Sequence, residues 1–181
     1  MPRQPKLAMG KKFAKKWTDN PKKQRGRPRK KPHPKILAVL KKEKEARVKN
    51  VYKIVNKMTG KIGGNGCGGP IYGELTLGNN QKVVDALVKY TAFSSESRFI
   101  DIGSGLGKPN IHVSQDPGVQ FSLGIEIEEV RTNLGLINLH HVLREKENNA
   151  NIGHTCLLQH GNISDAESLD PFTHVYAFDV G

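Results

Sequence analysis

The chain has 181 residues, with 29 Lys+Arg against 17 Asp+Glu, and the excess is confined to one end: residues 1–61 carry 22 basic and 3 acidic side chains, residues 62–181 carry 7 and 14. No apolar run exceeds Ile36-Leu-Ala-Val-Leu40, which excludes a membrane-spanning helix, and the N-terminus lacks the apolar core of a secretory signal. Cys67 and Cys156 lack paired spacing and the seven histidines are scattered, so neither a disulfide framework nor a metal site is expected.

Residues 1–34 are rich in Lys and Pro and hold few large apolar groups besides Trp17. Such a segment cannot bury enough surface to offset its chain entropy, and is expected to be a disordered arm. Its charge suits a polyanion, bound through counterion release. Within it lies Arg25-Gly26-Arg27-Pro28-Arg29-Lys30-Lys31. Glycine lets the backbone reach a groove floor, proline holds the chain extended, and the arginines meet the negative potential of a narrow minor groove. This stretch resembles the AT-hook, which implies contact with A·T-rich DNA through Arg25, Gly26, Arg27, Pro28 and Arg29. A plain nuclear-import signal is the competing reading, and both place the protein in the nucleus.

A second region, 35–69, reads as a helix followed by a glycine-rich loop. Val48, Val51, Tyr52, Val55 and Met58 recur at helical spacing and form one apolar face. Beyond the loop, alternating elements are predicted. They are helix 79–93 with Val83, Val84, Leu87 and Val88 inward, strand 98–102, helix 109–115, strand 120–126, helix 128–146, strand 155–159 and strand 173–180. In the long helix, Val130, Leu134, Ile137 and His141 are the expected inner face. Strand-helix alternation at this spacing argues for an α/β fold with a parallel sheet.

The chemistry is carried by Asp101-Ile-Gly103-Ser-Gly105-Leu-Gly107. An apolar strand precedes it and Pro109, suited to a first helical turn, follows. A strand, a glycine turn and a helix start bring a nucleotide-like ligand against bare backbone. The spacing is not the G-x-G-x-x-G of dinucleotide sites. A phosphate-cradling P-loop fails too, because only three residues separate Gly103 from Gly107 and Pro109 follows Lys108. A second carboxylate, Glu126, closes the next strand 19 residues past Gly107, where doubly wound sheets place the group that takes ribose hydroxyls.

D-x-G-x-G-x-G resembles motif I of the class I methyltransferases, which bind S-adenosylmethionine. Ile71-Tyr72-Gly73-Glu74-Leu75-Thr76, Gly124-Ile-Glu126 and Gly161-Asn162 narrow the likeness. Together they resemble the non-SET histone-lysine methyltransferases, the disruptor-of-telomeric-silencing family. The resemblance covers residues 70–181 and implies a Rossmann-like methyltransferase domain. It implies that Tyr72, Glu74 and Thr76 close over the methionine end of S-adenosylmethionine, although Leu75 interposes before the threonine. Asp101, Gly103, Gly105 and Gly107 would hold the methionine moiety, Glu126 the ribose, and Ile127 and Asn162 the adenine. Asn162 stands where the family has Asp, and Asp179-Val180 where it has Asn-Asn.

Glu74 and Asp179 are the candidates for relieving a lysine acceptor of its proton. The implied partners are a nucleosome or histone, and DNA through the arm. A methyltransferase acting on nucleic acid is the rival enzyme reading. A non-catalytic DNA-binding protein with a partial methyltransferase fold is the rival from another class. Only about four strands of a seven-stranded class I sheet are expected before Gly181, so the domain reads as truncated.

Overall fold

The computed structural model describes residues 33–60, 73–149 and 151–178. The Arg25–Arg29 stretch, Cys67, Tyr72 and Asp179 lie outside the described residues. Four parallel strands are laid down in the order β3-β2-β1-β4: β1 (Arg98–Ile102), β2 (Phe121–Glu126), β3 (Cys156–His160) and β4 (His174–Ala177). Helix α3 (Lys108–Val113) links β1 to β2, and α4 (Glu129–Asn148) links β2 to β3. Two helices precede the sheet, α1 (Pro34–Met58) and α2 (Leu77–Tyr90). This is the Rossmann-like α/β sheet expected from the sequence. Because strand order reverses between β1 and β4, a crevice opens at the strands' carboxyl ends.

All four helices serve one face of the sheet. Val48, Val51, Tyr52 and Val55 of α1 pack with Ile111, Val142 and Ile152. A second cluster joins Val84 of α2 to Phe93, Phe99, Val113 and Val119. Pro34 starts α1 where its missing N–H costs nothing. Strand β2 alternates strictly: Ser122, Gly124 and Glu126 are buried, while Phe121, Leu123 and Ile125 are half-buried. Leu157 and Val175 share that second face and are 49% and 50% exposed.

Two helix faces differ from expectation. In α2 only Val84 of the predicted set is buried, and Val88 is 47% exposed. In α4 the predicted face is only partly docked, with Val130 71% and Ile137 46% exposed and Leu134 and His141 half-buried. The docked residues are instead Thr132, Gly135, Asn138, Leu139 and Val142. The reason is local. This helix packs on the backbone of the glycine turn, where a Cβ on Gly135 would sit 3.3 Å from the Gly105 carbonyl oxygen. Asn138 Nδ2 donates to the Leu106 carbonyl at 3.2 Å. Small and hydrogen-bonding residues fit such a surface better than bulky apolar ones.

The first three helices are tied by a buried polar chain. Asn80 Nδ2 donates to the Tyr52 hydroxyl (2.7 Å), which lies 3.2 Å from His112 Nδ1. His112 Nε2 lies 3.0 Å from Gln81 Oε1, and Gln81 Nε2 donates to Asp85 and Asp116.

Candidate functional site

The turn after β1 is built by glycines in the left-handed region, Gly103 at φ 74°, Gly105 at 54° and Gly107 at 74°. A side chain at any of them would be strained. Gly103 and Ser104 both donate backbone N–H to the Ile125 carbonyl, at 2.8 and 3.0 Å, which folds the turn over β2. Gly124 is required beneath it, since a Cβ there would meet Ser104 and Leu158 at 2.7 Å.

Glu126 closes β2 directly against this turn and is 3% exposed. Its Oε2 accepts the Gly105 N–H at 2.8 Å and its Oε1 accepts the Glu128 N–H at 3.0 Å. Arg131 Nη1 lies 3.9 Å away on the first turn of α4. The carboxylate is thus held by backbone donors at the lip of the crevice.

Asp101 sits one strand over, 1% exposed, and its Oδ2 has no hydrogen-bond partner. Burial holds its carboxyl well above the usual carboxylate range, and the nearby Glu126 carboxylate adds to the shift. Glu74 is ion-paired with Lys108 at the start of α3, and both side chains are largely buried. Together with Gly103, Ser104, Ile127, Arg131 and Tyr176 these groups line a cavity of about 250 Å³. The Tyr176 hydroxyl is a second buried polar atom without a partner, and burial raises its phenol. Among the described residues, no His, Cys, Asp or Glu cluster could hold a metal.

The sequence-predicted residues divide into three groups. Glu74, Asp101, Gly103, Glu126 and Ile127 line the cavity together, with Ile127 59% exposed at its rim. Gly105 and Gly107 shape the turn rather than the wall; a Cβ on Gly107 would press on Leu158 at 2.6 Å. Thr76 and Asn162 are not among the residues that line the cavity, and each caps a helical turn. Thr76 Oγ1 caps α2 by accepting the Asn79 N–H at 3.3 Å. Asn162 Oδ1 accepts the Ser164 N–H at 2.9 Å and caps a short 3-10 turn at Ile163–Asp165.

Sequence reasoning missed Lys108, Arg131 and Tyr176. Lys108 stands next to the motif and could have been found there. Tyr176 is legible only from the sheet, where it pairs with Asp101 across β1 and β4.

Asp101 gives the site a stability signature. A carboxyl with a raised native pKa lends its full stability below its ordinary value of 3.8 and loses it as pH rises through the native value. At neutral pH the side chain is therefore a liability. Asp101→Asn should stabilise the fold at pH 7 by on the order of 1–3 kcal/mol, the cost of an unsatisfied buried group. That gain should vanish below pH 4, as followed by urea melts. A variant no more stable at pH 7 would mean that Asp101 is not strained.

Four parallel strands and this crevice invite comparison with known proteins. A methyltransferase from Geobacter sulfurreducens, solved with S-adenosyl-L-homocysteine, matches at TM-score 0.46 and 17% identity, over 72% of this chain and 43% of that one. One from Thiobacillus denitrificans, with the same ligand, matches at 0.42 and 15%, over 70% and 42%. An RNA methyltransferase from Salinibacter ruber matches at 0.40 and 21%, over 54% and 57%. This chain thus spans less than half the length of the first two. No curated protein sequence matches it. Residues 67–148 are similar to the family described as histone methylation protein DOT1.

Proposed function

We propose that this domain binds S-adenosylmethionine in the crevice between β1, β2 and β4 and supports methylation of histone lysine on chromatin. One observation carries the cofactor reading: a buried carboxylate oxygen of Asp101 without a partner, in a cavity whose other wall presents Glu126 fixed by two backbone donors. An ammonium group satisfies the first and a pair of ribose hydroxyls suits the second. The cavity of about 250 Å³ takes an amino-acid arm and ribose, leaving the adenine against exposed Ile127 at the rim.

The cofactor, when bound, supplies an electrophilic methyl on a sulfonium. The protein's part is to align it with the acceptor and keep water out, so positioning supplies most of the rate. A lysine acceptor must first lose its proton, because its ordinary pKa is about 10.4. Glu74 lies in the cavity wall for that role, and Asp179 falls beyond β4 in the sequence.

Chromatin as the target is supported by the DOT1 match and by the charge of the N-terminal region. Helix α1 continues that charge: Lys35, Lys42, Lys49, Lys53 and Lys57 recur close to multiples of 3.6 and are all exposed. They form one lysine stripe about 33 Å long, a spacing that tracks phosphates without reading sequence. The arm, with its AT-hook-like Arg25–Arg29, would extend the same contact, and such partners place the protein in the nucleus.

Calorimetry with S-adenosylhomocysteine, followed by methyl transfer to nucleosomes, free histones and naked DNA, tests the proposal. Micromolar binding and label on histone within nucleosomes are expected. Label on DNA alone would move the activity to nucleic acid. Nucleosome binding without cofactor binding would leave a DNA-binding module.

A further inference from the structure

We infer that the Tyr176 hydroxyl and the Asp101 carboxylate receive one ligand ammonium together, so that Tyr176 selects for the amine of the ligand. The inference rests on the cofactor reading above, which gives that ammonium a single partner.

Five described side chains hold a buried nitrogen or oxygen atom without a hydrogen-bond partner: Arg98, Asp101, Asn110, Asn138 and Tyr176. Of these, only Asp101 and Tyr176 also line the cavity. The sheet sets the two side by side. They are register partners on the parallel strands β1 and β4, so their side chains leave the same face. The Tyr176 ring is stacked with Phe99, two residues before Asp101 on that face, with centroids 6.0 Å apart and planes at 25°. Burial raises the Tyr176 phenol, and the Asp101 carboxylate is close enough to add to the rise. Two polar oxygens thus meet at one end of one cavity, each withdrawn from water and bonded to nothing. Each alone costs stability. One group that donates to both removes both costs.

The charges decide which group that is. Asp101 and Glu126 are buried carboxyls in the cavity wall, so the bridging group must donate and gains by being a cation. An ammonium has three N–H donors. One serves Asp101 Oδ2 and a second serves Tyr176 Oη. A phenol offers this acceptor without adding to the negative charge of Glu74, Asp101 and Glu126, since its raised pKa keeps it neutral. Stacking with Phe99 fixes the ring in advance, so little side-chain freedom is lost on binding.

Titration of S-adenosylhomocysteine and of its desamino analogue, which keeps the carboxylate, into wild type and Tyr176→Phe tests this, with urea melts of both proteins free of ligand. Tyr176→Phe should bind S-adenosylhomocysteine roughly 10–100-fold more weakly, the usual worth of a hydrogen bond to a charged group. Its affinity for the desamino analogue should stay within about twofold of wild type. Free of ligand, the variant should unfold at the same urea concentration or a higher one, because it loses an unsatisfied hydroxyl and no bond. A tyrosine whose hydroxyl serves the fold alone would give the opposite melt. Equal losses for both ligands, no loss for either, or unfolding at lower urea would overturn the role of Tyr176, while wild-type binding of S-adenosylhomocysteine would leave the cofactor reading intact. Binding of neither ligand by wild type would overturn both.

Discussion

Glu126→Ala should cost the fold about 2–4 kcal/mol and also weaken adenosyl-ligand binding by about 1.5–3 kcal/mol. The first figure follows from two backbone donors losing a charged acceptor at a site 3% exposed, each worth about 1–3 kcal/mol when left unsatisfied. The second is the usual worth of a charged partner for a ligand hydroxyl pair. The two effects separate by conservative change. Glu126→Gln keeps one acceptor oxygen, which can serve Gly105 or Glu128 but not both, so stability should fall by roughly half as much. Its amide still offers a ribose one acceptor and one donor. Urea melts and calorimetry on the same samples give both numbers. An unchanged melt would mean that the carboxylate does not hold the glycine turn. A destabilised variant with unchanged affinity would move the ribose contact elsewhere.

That double duty was only half legible in the sequence. The position of Glu126 at a strand end, 19 residues past Gly107, marked it as a candidate ribose contact. Its bond to Gly105 could not be read, because it depends on the turn folding back over Gly124. The glycines themselves were legible, since positive φ leaves few alternatives. The docked face of α4 was not. Periodicity ranks faces by hydrophobicity, and Val130, Leu134 and Ile137 outrank Thr132, Gly135 and Asn138 on that scale. Yet the partner surface is main chain, which selects for absence of bulk and for hydrogen-bond donors. Thr76 and Asn162 show the converse. A side chain that matches a family motif can also cap a helix two or three residues on, a role the motif does not announce. The parallel sheet followed from strand-helix alternation alone, because short helical crossovers leave little other topology.

Acid should remove about 3 kcal/mol of stability through one residue, His112. Its ring is fully buried, and burial lowers its pKa from the ordinary 6.5 to about 4 against the opposing charges of Asp116 and Asp85. The neutral ring fits the chain of bonds around it. The Tyr52 hydroxyl, already accepting from Asn80, donates to Nδ1, and Nε2–H donates to Gln81. A proton on Nδ1 would turn that acceptor into a donor and leave the buried Tyr52 O–H without the partner it donates to. For a depressed pKa the contribution is fully present above 6.5 and is lost as pH falls through about 4. A gap of that size corresponds to about 3 kcal/mol, a large share of the stability of a small domain. Asp101 works in the opposite direction, since its raised carboxyl is relieved on protonation, and it masks part of the loss. The clean comparison is therefore made in Asp101→Asn, where the drop between pH 6.5 and 4 should appear undiminished. His112→Gln in that background should start less stable at pH 7 and then lose about 3 kcal/mol less on acidification. Parallel stability curves for the two variants would assign the acid sensitivity to other groups and make the Tyr52–His112–Gln81 chain a packing feature alone.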